Sequence, residues 1–298
     1  MIKKPILFII FNRPETTKKV FEAIRQSRPP TLFVAADGPR ENKIGEKELC
    51  NETRKIVEKI DWPCEVKTLF REKNLGCKIG VSSAINWFFQ HVEGGIILED
   101  DCVPDQSFFV FCEEMLEKYK NNYEIMHING TNFQFGNKRG NASYYFSRCP
   151  SVWGWATWKR AWAKYDINMK YLEEYSKTKK IYKLFKSRVV GDFWISLFRH
   201  IIKKNIDTWD AQWAYSVMRS NGIAITPNTN LIENIGFGED ATHTKKNDNI
   251  CMQKSNNIDN IIHPTNILVD QDADDYLAKK MYIRSLFKKI MDKISILS

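Results

Sequence analysis

The chain has 298 residues, 43% of them hydrophobic, and a formal net charge of +9, enough apolar content for a substantial core in one large domain or two small ones. No apolar stretch approaches the roughly 18 residues that span a bilayer, and the run after Met1-Ile2-Lys3-Lys4 is too short and ill-flanked for a signal peptide, so the sequence predicts a cytoplasmic protein. Seven cysteines are scattered without a Cys-x-x-Cys pair, which argues against a zinc site or disulfide framework and for reduced, mostly buried thiols.

The first half alternates strand and helix patterns. Pro5 to Phe11 is an apolar run, Glu15 to Gln26 is helical in period, Thr31 to Ala36 is apolar, and Glu46 to Ile60 is helical again. Glu65 to Phe70, a helix from about Val81 to His91, the strand Gly95 to Leu98 and a helix from about Ser107 to Tyr119 follow. Such alternation predicts a mostly parallel sheet covered on both faces by helices. The strand exits are Asn12-Arg13-Pro14, Asp37-Gly38-Pro39, Arg71 to Gly76 and Glu99-Asp100-Asp101, so these polar clusters should share the edge where open α/β sheets bind ligands. After Ile125 to Gly130, tryptophan becomes frequent and lysines crowd between predicted helices, with no flexible linker separating the halves. The expected organisation is an α/β part over 1–130 whose sheet edge suits a nucleotide, an acceptor-side part of the same domain over 131–270, and a basic amphipathic helix over 271–298. Asn247 to Asn260 reads as a loop.

Three consecutive carboxylates, Glu99, Asp100 and Asp101, repel one another at a buried strand end unless a cation and ligand groups neutralise them. The alternative is a solvated acidic turn. Asp37 at a sharp turn suits a uracil imide hydrogen or a ribose hydroxyl, or is a plain turn residue. Arg13 suits a phosphate, or is a surface cation. No Gly-rich phosphate loop follows any strand, which leaves Mn²⁺ or Mg²⁺ on oxygen ligands as the way to neutralise a diphosphate and stabilise its departure. Asp210, between Trp209 and Trp213, is a candidate base tuned by partial burial, or a helix N-cap. His243, in Gly236 to His243, is a candidate metal or phosphate ligand, or a bystander. In the C-terminal segment Leu286, Phe287, Ile290, Met291 and Ile294 fall near one helical face among lysines, a pattern for an anionic membrane surface or for docking on the domain itself. No nucleic-acid motif accompanies the charge.

In their order these motifs resemble bacterial nucleotide-diphospho-sugar glycosyltransferases of the GT-A fold, in the branch similar to N-acetylglucosaminyltransferase I. The resemblance rests on Phe8 to Pro14, Asp37-Gly38-Pro39-Arg40, Asn74-Leu75-Gly76, Leu98 to Pro104 with its DXD-like triplet, Val152 to Trp158, and Trp209-Asp210, spanning about residues 5–245. It implies a Rossmann-like α/β domain and a metal-dependent, inverting transfer of a sugar, GlcNAc or another, from UDP to a hydroxyl of a cell-surface glycan or lipid-linked precursor, as in polysaccharide biosynthesis. It further implies that Asp101 ligates the metal, Glu99 and Asp100 face nucleoside and sugar, Asp37 contacts uracil, Asp210 deprotonates the acceptor, and Gly154 and Trp155 shape the donor pocket. Asn12, Arg13 and Asn74 complete the expected donor contacts. The animal enzymes carry a second acid after the Trp-Asp pair, where this chain has Ala211, and they are membrane-anchored Golgi proteins. The rival readings are a sugar-phosphate nucleotidyltransferase, against which Asn12-Arg13-Pro14 in place of a Gly-rich loop argues, and a non-catalytic nucleotide- or glycan-binding module.

Overall fold

The computed structural model describes residues 2–237 and 253–283. Chain order is β1 (Ile6–Ile10), α1 (Pro14–Ser27), β2 (Thr31–Ala36), α2 (Glu46–Lys55), β3 (Glu65–Phe70), α3 (Gly76–His91), β4 (Gly94–Glu99), β5 (Cys102–Pro104), α4 (Gln106–Lys118) and β6 (Ile125–Asn129). Then come β7 (Tyr144–Ser147), β8 (Trp155–Trp158), α5 (Lys159–Trp162), α6 (Leu172–Lys177), α7 (Arg188–Lys204), α8 (Asp210–Arg219), β9 (Ile223–Pro227), β10 (Ile232–Asn234) and α9 (Gln271–Ala278). Eight strands form one sheet in the order β3-β2-β1-β4-β8-β6-β9-β7. Only β8 and β7 run against the rest, since each pairs antiparallel with its neighbours while the β1–β2, β2–β3, β1–β4 and β6–β9 pairs are parallel. This is the mostly parallel, helix-flanked α/β class expected from the alternation.

Burial on both faces explains why the strands read as unbroken apolar runs. Ile6, Phe8 and Ile10 of β1 join Ile96 and Leu98 of β4 in a core with α1 and α4. Leu7 of β1 and Ile97 of β4 point the other way, into a core with Val81, Phe88, Trp155 of β8 and Trp213 of α8. Gly95 admits this packing: a Cβ there would lie 2.4 Å from the Phe88 ring and 2.8 Å from the Pro5 carbonyl. A third core joins α6, α7, α8 and α9 beside the sheet. The sheet is continuous across both expected parts of the chain, with β6 to β9 completing what β1 to β4 begin.

The α3 helix begins at Gly76, five residues before the start its apolar periodicity marks. The cause is tertiary: Asp207, 130 residues away from Cys77, accepts from the backbone N–H of Cys77 at 2.9 Å and of Lys78 at 2.8 Å, satisfying donors that a free helix N-terminus leaves unpaired. The expected helix over Glu46 to Ile60 ends as α-helix at Lys55 and tightens into a 3₁₀ turn over Ile56–Lys59. At the far sheet edge α9 is fastened to β7: the Asp274 carboxylate accepts from Ser147 Oγ and, at 2.8 Å, from Arg148 N. Of the basic amphipathic helix expected over 271–298, the described part opens with α9, which carries Asp272, Asp274 and Asp275 and docks Leu277 and Ala278 in the third core, while the chain after residue 283 lies outside the described residues.

Candidate nucleotide-sugar site

Because β3, β2, β1 and β4 are parallel neighbours, their carboxyl ends deliver Asp37, Asn74, Asn12, Arg13 and Glu99 to Asp101 to one edge. The acid triplet begins at the last residue of β4, beside Ile9 of β1. Asp100 is buried, and its Oδ2 accepts from Phe11 N at 3.2 Å while Oδ1 meets Arg13 Nη2. Asp101 Oδ2 accepts from Arg13 Nη1 at 3.0 Å. Arg13 is therefore not a free surface cation; one guanidinium bridges two carboxylates. Burial works against the charge of Arg13, but Asp100 and Asp101 outweigh it and hold the proton more firmly than usual.

One guanidinium does not balance three acids. Burial pushes the Glu99 carboxyl up to about 8, with Asp101, Asp100 and Asp210 adding repulsion that Arg13 only partly offsets. Burial likewise pushes Asp100 up to about 6 against the pull of Arg13. The cluster thus gathers more carboxyl groups than its protein partners can keep ionised together, and Glu99 retains a proton near neutral pH unless a cation takes that proton's place. Its donors are all oxygen, which suits a hard divalent cation in charge and type. Among the described residues, however, no three acid, histidine or cysteine side chains converge as a ready-made metal cage.

Asp101 is backed by a short antiparallel pair, β5 with β10, and its carbonyl accepts from Ile235 N at 2.8 Å. Gly236 lies against its carboxylate so closely that a Cβ would sit 2.2 Å from Oδ2. His243, with neighbouring Glu239 and Asp240, falls outside the described residues.

At the exit of β2, Asp37 Oδ2 accepts from Leu75 N at 2.9 Å, while its Oδ1 is buried with no hydrogen-bond partner among the described residues. Desolvation raises the Asp37 carboxyl above the usual carboxylate range against backbone N–H groups of Leu75 and Gly38. A buried acceptor left without a partner wants a donor. Asn74 turns inward: its Nδ2 donates to the Gly38 carbonyl at 2.8 Å and its Oδ1 accepts from Gly76 N at 3.1 Å. Gly38 must be glycine, since a Cβ would meet the Lys73 backbone at 2.5 Å. Asn12 Nδ2 donates to Glu46 Oε1 at 2.9 Å, and the buried Glu46 carboxylate also gathers Arg40 through its backbone N–H and guanidinium. Glu46 therefore knots the exits of β1 and β2 together, a role that its place in a helix pattern does not announce.

Asp210 opens α8, its Oδ1 accepting from Ala211 N at 2.8 Å and from the Thr208 hydroxyl. The carboxylate is exposed rather than shielded between tryptophans, because Trp209 and Trp213 point beneath the helix into the core. It faces the same edge as the triplet: Asp210 acts on Glu99, and Cys77 feels Glu99, Asp207, Asp210 and Asp37 together. Burial and these acids hold the Cys77 thiol protonated, pushed up to about 12.

Trp155 corrects the expectation that it shapes the donor pocket. It is fully buried, stacked on His127 at 4.9 Å and on Trp209 at 5.8 Å, because alternation along β8 turns it inward beside Ile97. Trp153 is the partly exposed member of the motif, its ring set edge-on to Phe133 at 5.4 Å and Phe237 at 5.5 Å. Gly154, at φ +60°, is buried like Trp155 rather than lining a donor pocket: a Cβ there would strike Ile232 at 2.4 Å and Leu98 at 3.3 Å. Beneath them His127 is held neutral, its proton affinity lowered to about 4 by burial. Trp213 Nε1 donates to its Nδ1 at 3.0 Å, which leaves the ring proton on Nε2, donated to the Ser151 carbonyl at 2.9 Å.

No protein-family model matches the chain, and no curated protein matches it. Among solved structures it is similar to S. aureus TarS 1-349, at 9% identity and TM-score 0.41 over 77% of this chain and 59% of that one. It is similar to a UDP-glucose pyrophosphorylase complexed with UDP-glucose, at 8% identity and TM-score 0.37 over 76% of this chain and 90% of that one. A third likeness is 4-diphosphocytidyl-2C-methyl-D-erythritol synthase from Anaerococcus prevotii, at 11% identity and TM-score 0.34 over 57% of this chain and 77% of that one.

Proposed function

We propose that the protein is a metal-dependent, inverting glycosyltransferase that moves a sugar, such as GlcNAc, from a UDP-sugar to a hydroxyl of a cell-surface glycan or lipid-linked precursor at the cytoplasmic face of the membrane. The observation that carries the reading is the meeting, at one sheet edge, of an orphaned buried acceptor, Asp37 Oδ1, with an acid triplet served by a single guanidinium. In this reading Asp37 accepts the imide hydrogen of uracil and Arg13 orients the carboxylates. Asp101, with Glu99 beside it, would hold Mn²⁺ or Mg²⁺, which when bound supplies Lewis-acid stabilisation of the leaving diphosphate. The exposed Asp210 takes the proton from the acceptor hydroxyl as it attacks the anomeric carbon. Trp153 contributes surface near the triplet, over the buried Gly154 and Trp155.

The test is calorimetric titration with UDP, GDP and CMP, each with and without Mn²⁺, followed by a product assay. UDP binding that requires Mn²⁺ and is lost in Asp101→Asn is expected, together with an Asp210→Asn variant that binds UDP and transfers nothing. Metal-independent nucleotide binding, or transfer surviving in Asp210→Asn, would sink the assignment of those residues. Release of pyrophosphate from a nucleoside triphosphate and a sugar phosphate would instead establish the nucleotidyltransferase reading.

A further inference from the structure

The rim of this edge carries a second pattern that nucleotide binding does not use. Ile44, at the tip of the loop after β2, is fully exposed, and Leu75, Ile79 and Ile202 each leave more than a third of their surface in water. Lysines are interleaved with them: Lys43, Lys73, Lys203 and Lys204 are exposed and Lys78 half-buried. Among the described residues none of these lysines forms an ion pair.

The fold makes this rim continuous. The loops after β2 and β3 leave the same edge and are laced together by Gly38 against the Lys73 backbone and by Asn74 on the Gly38 carbonyl. The end of α7 joins the start of α3 through Asp207, which binds Cys77 N and Lys78 N. Single exposed aliphatic residues are ordinary. Four along one connected rim, alternating with Lys43, Lys73, Lys78, Lys203 and Lys204, which outnumber the exposed acids Glu41, Glu72 and Asp207 of the same loops, form a surface whose aliphatic tips suit a headgroup layer and whose net positive charge suits anionic lipid. A soluble polyanion would engage the lysines and leave the aliphatic side chains in water.

We infer that this rim seats the sheet edge, and the candidate site with it, on an anionic lipid bilayer. The inference stands on the surface itself and holds whichever donor the site binds. It places the open face toward acceptors at a membrane surface and does not draw on the chain after residue 283.

The test is co-sedimentation of the full chain, without nucleotide, with phosphatidylcholine vesicles that contain or lack phosphatidylglycerol. The native chain should bind only the anionic vesicles. Lys43→Glu/Lys203→Glu/Lys204→Glu should weaken that binding on the order of 100-fold or more, and Ile44→Ser/Ile202→Ser by about 10-fold, with thermal unfolding of both variants unchanged. Failure of the native chain to bind anionic vesicles, or native-like binding by both variants, would overturn the inference. So would weakening by the lysine changes alone with soluble polyphosphate displacing the native chain, which would mark a polyanion site instead.

Discussion

Asp207 is exposed, lies outside the acid triplet, and still ties the α7–α8 connection to the start of α3 through two backbone N–H groups. Replacing it with alanine removes an N-terminal cap, typically ~0.5–2 kcal/mol, and a carboxylate at the positive helix end, ~0.3–1 kcal/mol at an exposed site. Water replaces part of both, so Asp207→Ala should destabilise the chain by ~1–2 kcal/mol, a fall in melting temperature of roughly 2–4 °C for a protein of this size. Gly76 provides an internal check. Its φ is +77°, and a Cβ there would lie 2.6 Å from Asp207 Oδ2. Gly76→Ala should therefore break the same cap and add left-handed strain of ~1–2 kcal/mol. The double variant should then cost less than the two singles summed, by ~0.5 kcal/mol or more. The assay is urea unfolding of the four proteins, with UDP affinity and turnover measured alongside. Since the Asp207 segment leads directly into Asp210, turnover should fall while UDP affinity holds. An unchanged unfolding midpoint for Asp207→Ala, or strict additivity with Gly76→Ala, would refute the coupling of α3 to the α7–α8 connection.

Asp37→Asn exchanges an acceptor for an amide that can present a donor to the base, so UDP affinity should drop roughly 10- to 100-fold by calorimetry; equal affinity would show that Asp37 does not read the base. Trp155→Phe should lower stability by ~1–3 kcal/mol, because it empties part of a fully buried aromatic cluster, with UDP affinity unaltered; a large affinity loss at full stability would return Trp155 to the binding surface. Burial pushes the Asp274 carboxyl up to about 7, so the folded state holds this proton more tightly than the unfolded chain. Its stabilising effect is greatest at acid pH and is lost as pH rises through about 7, by up to ~1.4 kcal/mol per pH unit. Glu99 and Asp100 contribute in the same direction. The melting temperature should accordingly fall between about pH 5 and 8, with a shallower slope in Asp274→Asn; a flat profile for the native chain would contradict the burial of these groups.

Much of the first half was legible because local and global signals agree there. Apolar runs bounded by turn residues become strands buried on both faces, among them β2 with its expected limits Thr31–Ala36, and the exposed edge strand β3 keeps its expected limits Glu65–Phe70. The parallel order then carries the polar strand exits to one edge without further information. The second half was harder to read for the same physical reason. Its strands are short, β7 and β8 run against the others, and its helices pack on one another in a core of their own, so no repeating unit announces their order.

The sequence by itself determined which residue types stand at each strand end, because a buried strand must surrender its polar residues at its exit. It thereby indicated the acid triplet, Asp37 and Arg13 as neighbours. What those side chains do was decided only by tertiary structure. Arg13 bridges two carboxylates, Asn74 and Asn12 serve neighbouring loops, and Asp210 stands exposed while its flanking tryptophans turn inward. The cap on α3 comes from 130 residues away. Periodicity records burial, a property of one element against an average environment; the partner of a charge or an unpaired N–H is a property of two segments, and only the closed fold brings them together.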